Sequence, residues 1–122
     1  MINHLVRASI FALVCVASVA TSAPARTPYD GSWSVLIVTE RGSCDRAYRY
    51  GVQIVDGYVR YDGGAVALAG RVDPKGGVRV TVSAGNSRAS GAGRLSRNVG
   101  EGRWSGTSGM DACSGYWLAE RR

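Results

Sequence analysis

From residue 31 onward, apolar and polar side chains alternate in short runs, and each run stops at a turn-forming pair. In extended backbone, successive side chains point to opposite faces, so this rhythm describes strands with one dry side. No stretch carries an apolar 3.6-residue period over the roughly ten positions a helix needs. All 17 glycines also lie beyond residue 25, as turns and tight corners require. The pattern predicts an all-β domain of many short antiparallel strands.

The runs can be placed. Ser32 to Thr39 puts Trp33, Val35 and Ile37 on one face, while Leu36 and Val38 suggest cover on the other. Ala47 to Val55 aligns Tyr48, Tyr50, Val52 and Ile54. Asp56-Gly57, a type I′ hairpin signal, leads into Tyr58 to Tyr61. Further strands are expected over Ala65 to Val72, Val78 to Ser83 and Arg88 to Leu95. Asn98 to Gly102 reads as a turn, followed by a strand centred on Trp104 and a last one from Cys113 to Glu120. Gly91 and Gly93 fall at inward positions and read as a barrel corner rather than a pocket. Eight such strands can hide both sheet edges by closing, which predicts a small antiparallel up-and-down eight-stranded β-barrel. A two-sheet sandwich is the alternative.

The first 25 residues have a different character. His4 and Arg7 form a basic start, residues 10–17 an apolar run too short to span a bilayer, and Ala23-Pro24-Ala25 a small-x-small cleavage pattern. Residues 1–25 are therefore expected to be a cleaved signal peptide and residues 26–122 a single domain that is periplasmic or secreted. Cleavage removes Cys15 and the only histidine, His4. Cys44 and Cys113 remain for a compartment where disulfides persist. Their pairing closes a loop of about 70 residues and stabilises by roughly 4 kcal/mol on the chain-entropy account. Free thiols or intermolecular bonds are the competing outcomes.

The full chain carries a net charge of +6, and without Arg7 the mature domain carries +5. Its arginines are scattered singly, which fits a solvated surface better than a nucleic-acid tract. An envelope or extracellular protein, or an anionic glycan, remains a partner class. Without imidazole or a free thiol, Ser-His-Asp and Cys-His catalysis are excluded, and neither a cofactor nor a metal site is expected. Asp45 and Asp111 flank the two cysteines and could approach each other, but salt bridges to Arg41 or Arg46 are the ordinary outcome. Two binding constellations stand out. Arg41, Arg46 and Tyr116 beside the disulfide would serve a protein-binding or inhibitor-type barrel. Trp33, Trp104 and Trp117 would ring the cavity of a small-ligand or glycan carrier, although core packing is their commoner use.

Three segments, Asp30-Gly31-Ser32-Trp33, Arg41 through Tyr50, and Cys113 through Glu120, together resemble a family of small exported alphaproteobacterial proteins. That resemblance implies a small exported protein but assigns no activity. More loosely, Gly31-Ser32-Trp33 at the head of the meander is similar to the first strand of lipocalins, avidins and periplasmic inhibitor barrels. That likeness implies architecture alone.

Overall fold

The computed structural model describes residues 26–122, together with Ala12, Val14 and Cys15. Apart from those three residues, the expected leader and its cleavage site lie outside the described chain. Eight strands follow one another: β1 (Gly31–Arg41), β2 (Ala47–Val55), β3 (Tyr58–Arg60), β4 (Ala67–Val72), β5 (Gly77–Ala84), β6 (Ser87–Ser96), β7 (Val99–Ser108) and β8 (Asp111–Arg121). Each pairs antiparallel with its neighbours, and β8 returns to β1, closing the barrel. Among the described residues there is no helix.

The turn chemistry behaves as the sequence suggests. Asp56 and Gly57 both take positive φ, 53° and 81°, as a type I′ hairpin demands. The expected turn over Asn98 to Gly102, however, is strand. The chain reverses at Arg97-Asn98, with Arg97 at φ 54°, and β7 already begins at Val99. Gly91 and Gly93 are not a corner either, because the β5–β6 and β6–β7 registers run through them unbroken. The register shift lies elsewhere, between Thr39 and Arg41 on the β1–β8 seam.

The inward rows of β6, β7 and β8 explain these glycines. Gly93, Gly102 and Trp117 lie in register side by side, as do Gly91, Trp104 and Gly115. A Cβ on Gly93 would meet Trp117 Cζ2 at 2.5 Å, and one on Gly102 would meet the same atom at 2.5 Å. The Trp117 indole thus lies across two neighbouring strands whose side chains have been removed to admit it. Trp104, in register with Gly115, donates from Nε1 to the Val38 carbonyl on β1 at 3.0 Å, and a Cβ on Gly115 would collide with that same carbonyl. Glycine here provides room, not flexibility.

One end of the barrel is solid. Trp33, Ile54, Val59, Val72, Val78, Leu95, Trp117 and Ala119 form a buried cluster, with Trp33 only 1% exposed. Residues 27–30 close that end from below. Trp33 Nε1 donates to the Tyr29 carbonyl at 2.8 Å, and the Arg121 guanidinium sits 4.7 Å above the Trp33 ring. Arg121 also donates to the carbonyls of Pro28, Asp30 and Arg97 and to Asn98 Oδ1, tying the 28–30 segment and the Arg97-Asn98 turn to the end of β8.

Asp30 performs the complementary task. Its carboxylate accepts from the Thr27 hydroxyl at 2.7 Å and from the amides of Asp56 and Gly57 at 2.8 and 3.2 Å. Desolvation pushes this carboxyl upward, but those donors outweigh it and hold it below its ordinary value. A depressed folded value means the carboxylate stabilises the barrel above the unfolded value of about 3.9 and ceases to do so as pH falls through the lower one. Asp30→Asn is expected to lose about 1–2 kcal/mol at neutral pH, allowing for its partial exposure. It should also flatten part of the loss of stability below about pH 4, as chemical denaturation across pH would show. Asp73, held low by the Gly77 and Lys75 amides, supplies acid dependence that the variant retains.

The wall is uneven. β6, β7 and β8 are joined by ten register pairs along each seam, whereas three-residue β3 meets β4 through only two, Tyr58 with Arg71 and Val59 with Gly70. Outward positions carry Arg49, Arg71, Arg79, Arg88, Arg94 and Arg103, all exposed, and inward positions are mostly apolar. That sorting is the reverse of an outer-membrane barrel, which shows lipid an apolar band and keeps its lumen polar. Cover over β1 comes from within the wall: Arg49 donates to Ser34 Oγ at 3.2 Å, and Leu36 is in register with Leu118, itself 42% exposed.

Candidate ligand site in the barrel lumen

Above the packed floor the inward side chains rest on the buried cluster without filling the axis. Val35, Ile37, Leu68, Val80, Val82 and Trp104 face the axis yet are only partly buried, and inward-facing Tyr50 is 36% exposed. They surround a cavity of about 560 Å³ that continues to the mouth. Its size falls within the range of small-molecule pockets, and its walls are mostly hydrocarbon and aromatic ring.

The mouth is built by the β1–β2 loop, the β3–β4 connection and the β5–β6 and β7–β8 turns. The first of these is fastened in three ways. Cys44 is bonded to Cys113 at the start of β8, with 6.1 Å between their Cα atoms. Thr39, 4% exposed, donates from Oγ1 to the Asp45 carbonyl at 2.6 Å and from its amide to the Arg46 carbonyl at 2.9 Å. Ser43 binds the Asp111 carboxylate through both its amide and its hydroxyl. Asp111 therefore anchors a loop and does not pair with arginine. Among the described residues the one ion pair is Arg103 with Glu40, at 2.9 Å on the outer wall. The expected salt bridges from Asp45 or Asp111 to Arg41 or Arg46 are not formed, because the tight 41–46 loop offers Asp111 a nearer partner in Ser43.

Inside the rim stand Tyr48, Tyr50 and Tyr61. Tyr50 is perpendicular to both neighbours, with centroids 5.3 Å from Tyr48 and 5.4 Å from Tyr61. Burial pushes the Tyr48 phenol upward, and the negative charge of Asp45 adds to it. Tyr50 is raised by burial first, then by its two tyrosine neighbours and Asp45. The phenols thus stay neutral, and Asp45 lies close enough for its charge to reach both rings.

The candidate residues named from sequence separate into three places. All three tryptophans line the cavity: Trp33 and Trp117 are buried in its floor, and half-buried Trp104 packs against that floor. Arg41 and Arg46 are exposed beside the disulfide loop. Tyr116 lies on the outer wall of β8, half-buried between Val38 and Arg103 in register. The tyrosine triad was partly visible beforehand, since Tyr48 and Tyr50 share the inner face of β2. Tyr61 joins them across the β2–β3 hairpin, one residue beyond the Gln53–Arg60 pair.

Comparison with known protein families, curated proteins and solved structures finds no match to this chain. The fold and the site geometry are therefore the basis for a functional reading.

Proposed function

We propose that this domain is an exported, non-enzymatic carrier that holds one small apolar molecule in its lumen. A single observation supports the reading: the half-empty interior of about 560 Å³, walled by Val35, Ile37, Leu68, Val80, Val82 and Trp104 and open at one end. Leaving such side chains unburied forfeits roughly 25 cal/mol for each Å² of apolar surface, which a hydrocarbon guest would recover. A glycan suits these walls poorly, because its hydroxyls would lose water and find few partners among valines. This favours the carrier over the inhibitor-type barrel.

Titration with the neutral fluorophore N-phenyl-1-naphthylamine tests the proposal. Saturable enhancement with one probe per protein, competed by decanol, is expected. Val82→Trp places an indole in the open lumen and should reduce probe affinity at least tenfold while the thermal transition stays near that of the parent. Absence of saturable binding to the parent protein would overturn the carrier reading.

A further inference from the structure

We infer that the guest carries a cationic head, and that the lumen is built for a single alkyl chain ending in an ammonium, preferably a methylated one. This rests on the carrier reading and adds the chemistry of the mouth. The faces of an aromatic ring are its electron-rich side and attract cations, most strongly where water is partly excluded. Tyr48, Tyr50 and Tyr61 put three such rings in contact at the rim, two of them perpendicular to the third. Among the described residues, guanidinium groups already cover the rings of Tyr58 and Trp33, but not these three.

The charge at the rim points the same way. The carboxylate of Asp45 stands in the cavity lining beside the triad, and among the described residues it has no ion-pair partner. Arg88, on β6 across the closed ring from β2, stands in the outward row of its strand. The charge that faces the lumen beside Tyr48 and Tyr50 is therefore the acidic one. An ammonium head would settle against the tyrosines and Asp45, with its chain directed down between Ile37, Leu68 and Val82 onto the floor. The volume suits one chain.

Three amphiphiles of equal chain length separate the possibilities: decyltrimethylammonium, decanol and decyl sulfate, each below its micellar threshold. All three would compete for N-phenyl-1-naphthylamine bound to the intact protein. Decyltrimethylammonium is expected to displace the probe at about tenfold lower concentration than decanol, with the sulfate weakest. The ammonium-to-decanol ratio should fall toward one in Asp45→Asn and in Tyr50→Leu, and high salt should erode the Asp45 part. Equal displacement by all three overturns the cationic head, as does a sulfate preference abolished by Arg88→Gln. In either case probe and decanol binding persist, so the carrier reading survives. If neither probe nor decanol binds, both readings fall.

Discussion

Gly93→Ala should be among the most damaging single-methyl substitutions in this domain. The added carbon would stand 2.5 Å from Trp117 Cζ2 and 2.6 Å from the Gly102 Cα, and it would press on the Glu101 carbonyl. Backbone atoms of the neighbouring strand cannot yield without breaking ladder hydrogen bonds, and the indole is boxed in by the floor. Overpacking of this kind costs about 3 kcal/mol. A domain of this size holds roughly 5–15 kcal/mol in all, so the midpoint of thermal unfolding should drop by about 12–20 °C. Trp117→Ala should cost about 3–5 kcal/mol by opening a void in the buried cluster. The double variant is the decisive measurement. Because the new methyl and the indole compete for one space, its loss should fall well short of the sum of the single losses. Strict additivity would show that Gly93 and Trp117 are not coupled.

Loss of the cystine should be comparably severe. Cys44 and Cys113 are 69 residues apart in sequence, so their bond removes a large share of the freedom of the unfolded chain. The chain-entropy account puts this at about 4 kcal/mol. Cys44→Ala/Cys113→Ala, or the parent under reductant, should melt roughly 15–30 °C lower. The bond also carries the loop that ends in Asp45 and leads to Tyr48, so a reduced protein kept cold enough to stay folded should lose head-group discrimination before it loses decanol binding. Displacement assays with and without reductant at low temperature would measure this. An unchanged ammonium-to-decanol ratio after reduction would mean that Thr39 and Ser43 suffice to hold the mouth.

Much of this architecture was legible in the residues, for reasons that can be stated. Val78, Val80 and Val82 against Arg79, Thr81 and Ser83 fix a strand and its inner face at once, since the pleat permits only one assignment. Asp56-Gly57 fixes a turn because both positions tolerate positive φ. Gly100 and Gly102 were misleading, because glycine serves reversal and close approach equally well. Only the position of Trp117, on the next strand and in register with Gly102, tells which is meant. The segment from Thr27 to Asp30 was silent for a related reason. Its bonds to Asp56, Gly57 and Arg121 run between residues far apart in sequence, and no local pattern announces them. The hollow lumen was equally hidden. Alternation says which side chains face the axis, but whether they meet there depends on closure and stagger.

The brief third strand has a mechanical consequence for any guest. Opening a barrel wall means breaking the ladder between two neighbours, and the cost scales with the bonds severed. The stave at Tyr58–Arg60 is laced to the next at two points, while the opposite flank is sewn along ten. Breathing is thus concentrated on the side that carries Tyr61, leaving the indole-bearing flank as a rigid spine. A vessel of this kind widens at one shoulder when it must, without losing its floor.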